Sequence, residues 1–220
     1  PLDGTFMTRQ LPDTASRAEM QSDGRLVAAS ASNNTGPICK VLREVAPRGG
    51  RALELASGTG QHCVAFASSC PNLTWVPTDI DEDRLASIGI YVSEAQLPNL
   101  TLPVYLDATK DGWSQTTGQL DLIVLVNLLH LISQSEAQTV LREAAKALAP
   151  GGVFLLYGPF QRSGELTSEG DVRFHESLVS TDPDIGYKDD FDVIEWAVEA
   201  GLDVAHVLEM PANNLSLVFS

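Results

Sequence analysis

Cysteine is scarce in this sequence. Cys39, Cys63 and Cys70 are odd in number and match no metal-ligand spacing. A zinc site or a disulfide scaffold is therefore not expected, no metal is implied, and all three are read as free thiols of a reducing compartment. Long apolar runs are also lacking. None reaches the ~18 residues that a transmembrane helix needs, and the polar N-terminal stretch has no secretory apolar segment. The expectation is a cytoplasmic protein with no membrane association. Positive charge is short as well: 14 lysine and arginine residues stand against 29 aspartate and glutamate residues, a net charge of −15. An acidic surface repels phosphate backbones, which argues against DNA or RNA as a partner. No internal repeat or low-complexity stretch interrupts the 220 residues, a length that suits one large domain with a sizeable core.

What is present centres on Arg51 to Cys63, Arg-Ala-Leu-Glu-Leu-Ala-Ser-Gly-Thr-Gly-Gln-His-Cys. Leu53 to Ala56 reads as the end of a buried strand, Ser57 to Gly60 as a tight turn, and Gln61 to Ser69 as an amphipathic helix. Gly58 and Gly60 let a ligand approach the backbone, and the helix start adds unpaired N–H groups. That is a nucleotide-cofactor cradle, although Ser-Gly-Thr-Gly also suits an ordinary strand-to-helix turn. Glu54 would repel a pyrophosphate and would suit an ammonium or sulfonium group. Asp79 follows Gly60 by about 20 residues, the place of a ribose-binding acid in doubly wound folds. The third glycine of Gly-x-Gly-x-x-Gly is missing, with Cys63 in its place, and this counts against a standard NAD site.

The rest of the chain alternates. Residues 1–24 are polar and irregular and read as an arm ahead of a single domain over 25–220. Asn33-Asn34-Thr35 reads as a helix N-cap with Pro37 in the first turn. A second strand ends at Asp79, and Asp81, Glu82 and Asp83 open a helix that runs to about Gln96. Leu102 to Leu106 reads as a third strand closed by Asp107, which is open to two roles, an adenine contact or a loop cap. Lys110 to Gly118 reads as loop. Asp121 to Asn127 is apolar on both faces, as a central parallel strand should be. A helix follows from about Ser135 to Leu148, Ala149-Pro-Gly-Gly ends it, and Val153 to Tyr157 is a fifth strand. Gln161 to Asp189 is long and polar and reads as an insertion or lid. Asp192 to Ala200 reads as a helix, and Pro211-Ala-Asn-Asn as the turn of a closing hairpin. Strands alternating with helices give an α/β, Rossmann-like, doubly wound sheet with helices on both faces.

This arrangement resembles the class I S-adenosylmethionine-dependent methyltransferases. The residues that carry the resemblance are Glu54-Leu-Ala-Ser-Gly-Thr-Gly, Asp79, Asp107, Asn127, Pro150-Gly-Gly and the terminal hairpin. More narrowly, Leu55-Ala-Ser-Gly-Thr-Gly-Gln-His, Leu156-Tyr-Gly-Pro-Phe and Met210-Pro-Ala-Asn-Asn-Leu-Ser-Leu-Val-Phe are similar to the methyltransferase-like protein 26 family. Ala56 departs from the glycine of most class I enzymes. The resemblance implies seven strands with the last antiparallel, and S-adenosyl-L-methionine as cofactor. It implies that Gly58 and Gly60 lie under the methionine part, Glu54 organises the ammonium side, Asp79 takes the ribose and Asp107 the adenine. Ala56, Ser57, His62, Ile80, Ala108 and Asn127 complete that cofactor set.

In an open α/β sheet the ligands lie beyond the carboxyl ends of the parallel strands. Asn127 and His130 follow the fourth strand, Tyr157 ends the fifth, and the turn carrying Asn213 and Asn214 falls on the same edge. Asn127, His130, Tyr157 and Asn214 are therefore expected to line one acceptor pocket, with His130, Tyr157 and Asn127 as catalytic candidates and Tyr157, Asn213 and Asn214 toward the substrate. His130 equally suits a helix cap, and Asn213-Asn214 a plain turn. Three functions compete: methyl transfer to a small-molecule or protein acceptor, a non-catalytic binding or scaffold module of the same fold, and nicotinamide-dependent oxidoreduction. The acceptor itself is not written in the sequence.

Overall fold

The computed structural model describes residues 9–15 and 17–220. The first eight residues of the expected arm lie outside that set. Within the arm, β1 (Glu19–Met20) pairs antiparallel with β2 (Leu26–Val27). Then follow α1 (Ala29–Val45), β3 (Gly50–Leu55), α2 (Gln61–Ser69), β4 (Leu73–Asp79), α3 (Glu82–Ala95) and β5 (Val104–Tyr105). The second half holds α4 (Trp113–Thr117), β6 (Leu120–Val126), α5 (Gln134–Ala147), β7 (Leu148–Pro159), α6 (Glu169–Thr181), α7 (Asp190–Glu199), β8 (Val204–Glu209) and β9 (Asn214–Phe219).

The main sheet has seven strands in the order β5-β4-β3-β6-β7-β9-β8. β3 pairs in parallel with β4 and β6, β6 pairs in parallel with β7, and β9 runs antiparallel to both β7 and β8. This is the doubly wound sheet that the alternation predicts. The burial of β6 shows why it is central. Leu122, Val124 and Val126 face a core built with Ile38 and Leu42 of α1, Phe66 of α2 and Ile88 of α3. Ile123 and Leu125 face a second core with Val140 and Ala144 of α5 and Val193 of α7. Successive side chains of one strand thus enter opposite layers, so nearly every position must be apolar. Among the described residues no helix is long and apolar enough to cross a membrane.

Several boundaries differ from the sequence reading. α1 starts at Ala29 rather than at Asn33-Asn34-Thr35, and Pro37 lies inside it. The reason is that the Ala28 N–H donates to the Gln61 side chain at 2.7 Å, which anchors the helix start one turn earlier. β5 is two residues long instead of five; Leu102, Val104 and Tyr105 are exposed on a sheet edge. The segment expected as loop before β6 contains α4, whose first turn donates the Gly112 and Ser114 N–H groups to Glu143 Oε2 at 2.9 and 3.0 Å. β7 begins at Leu148, because residues 148–152 extend the strand instead of leaving it. Finally, the polar stretch 161–189 contains α6. It packs Leu178, Ile185 and Tyr187 against Ala15 of the arm in a third, smaller apolar cluster.

Candidate functional site

Strand order reverses between β3 and β6, and the loops leaving these two strands open one crevice at that point. After β3, the turn is pinned to β4. The Ser57 N–H donates to the Thr78 carbonyl at 2.7 Å, and the Thr78 hydroxyl donates to the Glu54 carbonyl at 2.8 Å. The Gly58 N–H donates to Asp79 Oδ2 at 2.8 Å. Asp79 Oδ1 accepts from the N–H groups of Ile80 and Asp81 at 2.8 and 3.1 Å, and the residue is only 3% exposed. The carboxylate that the sequence places at a ribose therefore also fixes the shape of the glycine turn.

Backbone conformation separates the small residues. Ala56 has φ 51, in the left-handed region that favours glycine, so the alanine holds a strained backbone at this turn. Gly58 has φ +61, and a Cβ there would meet nothing nearer than the Ala56 carbonyl at 4.0 Å. Gly60 has φ +95, and a Cβ there would sit 2.8 Å from Ile88 Cα. Gly58 thus leaves open space for a ligand, whereas Gly60 allows close approach to α3.

A cavity of about 530 Å³ spreads from this turn. That volume falls within the ~300–1,000 Å³ usual for small-molecule sites. It is lined by Ala56, Ser57, Gly58 and His62 beside the turn, and by Asn127 and His130 after β6. Tyr157 and Asn214 line it from β7 and β9. The four residues expected around an acceptor, Asn127, His130, Tyr157 and Asn214, therefore do share one cavity. Six of the expected cofactor residues do not line it: Glu54, Gly60, Asp79, Ile80, Asp107 and Ala108. Glu54, Gly60, Asp79 and Ala108 are buried behind the wall, and Ile80 is on the outside at 46% exposure. Asp107 Oδ1 accepts from the Thr109 N–H and hydroxyl at 2.9 and 2.6 Å, so it caps its loop. Asn213 does not line the cavity itself, but its amide donates to Oδ2 of Asp171, which does, at 3.0 Å.

The electrostatics are those of buried, neutral groups. His130 is 6% exposed, and its Nδ1 has no hydrogen-bond partner. Burial, helped by nearby Lys188, pushes its imidazole down to about 3, so it is uncharged at neutral pH. Phe174 and Tyr187 approach it edge-on, at centroid distances of 5.7 and 6.0 Å. Its turn is held from behind: the Gly186 N–H donates to the His130 carbonyl at 3.0 Å, and Lys188 Nζ to the Ile132 carbonyl at 2.6 Å. Glu54 is 1% exposed, and its Oε2 has no partner. Burial pushes its carboxyl up to about 8, opposed by Ser57 and reinforced by Asp79. A buried carboxyl oxygen left without a partner directly beneath an open glycine turn fits a ligand with a cationic group there. Among the described residues no group of three or more His, Cys, Asp or Glu side chains is placed to hold a metal ion.

Sequence reasoning missed several lining residues. Asn34, expected as a cap, lines the cavity from inside α1 and joins His62 to Tyr157. Asp171, Phe174 and Tyr187 reach it from the 161–189 stretch, and Thr14 and Arg17 from the arm. Phe174 and Tyr187 are the only Phe or Tyr residues in that polar stretch, and this was a usable signal.

The model of a family described as "Protein of unknown function (DUF938)" matches residues 25–220. The chain belongs to that family. The DUF938 match therefore covers every strand of the main sheet and all but the arm side of the cavity. Beyond the family, the chain is 24% identical over 221 residues to the O-methyltransferase bfoD of Aspergillus brasiliensis, covering 98% of this chain and 52% of that protein. The same figures hold for the O-methyltransferase aunD of Aspergillus niger. The chain spans about half the length of the curated relatives it matches. Among solved structures, an O-methyltransferase family protein from Burkholderia thailandensis has a TM-score of 0.74 at 18% identity, covering 87% of this chain and 57% of its own. Human N-acetylserotonin methyltransferase in complex with SAM has a TM-score of 0.71 at 14% identity, covering 86% of this chain and 52% of its own. These likenesses show a methyltransferase-type Rossmann-like fold.

Proposed function

We propose that this protein is an S-adenosylmethionine-dependent methyltransferase that methylates an oxygen of a small-molecule acceptor. One observation carries the reading. A single cavity joins the open glycine turn, Ala56 to Gly58, to a buried, neutral histidine, His130, across the point where strand order reverses. The O-methyltransferase relatives and the SAM-bound neighbour support it over nicotinamide chemistry, as does the cavity's small-molecule volume over a protein acceptor. The strings Leu55 to His62, Leu156 to Phe160 and Met210 to Phe219 support a finer kinship with methyltransferase-like protein 26.

The cofactor, when bound, supplies a methyl group on a sulfonium sulfur, which keeps the electron pair of the broken carbon–sulfur bond. Gly58 and Ser57 would hold its methionine part, Glu54 would balance positive charge from behind the wall, and Asp79 would serve the ribose side by fixing the turn, its carboxylate reaching the ribose only if the wall opens. His130 would accept the proton that the acceptor hydroxyl loses as its oxygen bonds to carbon, a role that requires the bound ligands to raise its imidazole from about 3. Tyr157 and Asn214 would orient the acceptor, with Asn127 at the boundary between the two ligands. The aromatic wall of Phe174 and Tyr187 would keep water from the reacting atoms.

The test is a methyl-transfer assay with labelled cofactor over a panel of hydroxylated small molecules, run on wild type, His130→Ala and Tyr157→Phe. The reading expects His130→Ala to lose at least about a hundredfold in turnover while its cofactor affinity stays within twofold. Unchanged turnover in both variants would overturn the assignment of these residues.

A further inference from the structure

Acidic side chains outnumber basic ones 29 to 14 in the chain, yet the cavity wall reverses that balance. Its charged lining residues are Arg17, Arg84 and Asp171. Asp171 is engaged within the protein. Its Oδ1 accepts from the Tyr187 hydroxyl at 3.1 Å, and its Oδ2 accepts from the Ser168 hydroxyl at 2.6 Å and from the Asn213 amide at 3.0 Å. Arg17 is differently placed. Its Nε donates to the Asp13 carbonyl at 2.6 Å, a bond that anchors the stem and leaves the two terminal nitrogens. Among the described residues no carboxylate pairs with it. A guanidinium fork presented this way matches the geometry of a carboxylate or a phosphate. Elsewhere some arginines pair with acids, Arg9 with Glu136 and Asp182, Arg25 with Asp23 and Glu94, and Arg162 with Glu209, while among the described residues Arg43, Arg48 and Arg51, like Arg17, have no carboxylate pair. Of these four, Arg17 lines the cavity.

Part of the same wall is apolar and aromatic. Leu128, Leu131, Phe174 and Tyr187 line the same space as His130. Phe174 and Tyr187 meet each other and the His130 ring edge to face, at centroid distances between 5.7 and 6.0 Å. Ring edges and faces arranged this way pack favourably against an aromatic, and therefore planar, skeleton.

We propose that the methyl acceptor is a small, planar molecule bearing a carboxylate or phosphate, and that Arg17 of the N-terminal arm pairs with this anion. The proposal rests on the methyl-transfer reading. It makes the arm part of the specificity apparatus.

The test is calorimetric titration of the full chain, first with S-adenosylhomocysteine and then, once loaded, with 4-hydroxybenzoate, phenyl phosphate and the neutral 4-hydroxybenzamide. Wild type, Arg17→Met and Arg17→Lys are compared. The proposal expects at least one of the two anions to bind about tenfold or more tighter than the amide. It expects Arg17→Met to abolish that preference, Arg17→Lys to keep part of it, and all three proteins to bind S-adenosylhomocysteine within twofold. Equal binding of anions and amide, including no binding of any, overturns it. A loss of S-adenosylhomocysteine affinity in Arg17→Met also overturns it, because the arginine then serves the carboxylate of that ligand. If wild type itself does not bind S-adenosylhomocysteine, the methyl-transfer reading falls and takes this proposal with it.

Discussion

His62 Nε2 lies 2.7 Å from Asn34 Oδ1, a buried contact that joins the first turn of α2 to the middle of α1. Burial pushes the His62 imidazole down to about 4, so the ring is neutral and its Nε2–H donates to the amide oxygen. The Tyr157 hydroxyl meets the same asparagine and also Asn214. One amide therefore lies between the α2 side of the cavity and its β7 side. The ring of His62 stacks on Phe66, at a centroid distance of 5.2 Å, which fixes its plane.

Asn34→Ala leaves the His62 N–H short of a partner in a buried place and removes a polar neighbour of the Tyr157 hydroxyl. A loss of about 1–3 kcal/mol in unfolding free energy is expected. Combined with Tyr157→Phe the losses should be less than additive, since the two substitutions remove one shared contact. Chemical denaturation of the four proteins measures this, and strict additivity would show that the asparagine does not couple the two sides.

Glu54 gives the protein a pH signature. Its carboxyl, ordinarily at 4.5, is pushed up to about 8 by burial. The folded chain then keeps a proton that the unfolded chain releases between these two values. Stability of the ligand-free protein should therefore fall as pH rises through that window, by an amount on the order of a few kcal/mol. Glu54→Gln removes the titrating group and should flatten this slope. Thermal melts from pH 4 to pH 9 check it, and parallel curves for the two proteins would contradict a buried neutral carboxyl.

Gly58 and Gly60 separate binding from packing. Gly60→Ala drives a Cβ to 2.8 Å from Ile88 Cα and should cost about 2 kcal/mol or more in stability. Gly58→Ala meets open space and carries only the strain of a positive φ, about 1 kcal/mol. Its larger effect should be on cofactor affinity. Melting temperature and calorimetry on both variants decide this, and a Gly58→Ala protein that melts as low as Gly60→Ala would refute the distinction.

His130 stays neutral down to about pH 3 because it is buried among Phe174 and Tyr187. Turnover should accordingly show no inflection near 6.5, the ordinary histidine value. A clear break there in the pH profile of turnover, lost in His130→Gln, would mean that the imidazole is charged and solvated in the working enzyme.

Much of this was legible in the sequence, for physical reasons. β6 had to be central because Leu122 through Val126 offer no polar face, and the strand–turn–helix at Leu53 to Ser69 carries its own punctuation in Gly58 and Gly60. That cavity wall was legible where strand ends fix position: Asn127, His130, Tyr157 and Asn214 share it, as the rule that ligands gather at the carboxyl edge leads one to expect. Asn34 was not legible. Asparagine before an apolar stripe reads as a cap, and only the tertiary contacts of His62 and Tyr157 draw it into a helix interior. Asp171 was hidden for the same reason, since α6 and its flanks reach the cavity through packing with Ala15 and Leu178 that no local pattern encodes, and Phe174 and Tyr187 were marked only as the Phe and Tyr of a polar stretch.

The central claim is that the glycine turn holds S-adenosylmethionine. Calorimetric titration of the full chain with S-adenosylmethionine, S-adenosylhomocysteine and NAD, beside a Gly58→Arg variant that fills the open space of the turn, tests it most directly. The account predicts micromolar binding of the first two ligands, no binding of NAD, and loss of both affinities in a variant that still melts cooperatively. Absence of binding in the wild-type protein, or equal binding in Gly58→Arg, would contradict it.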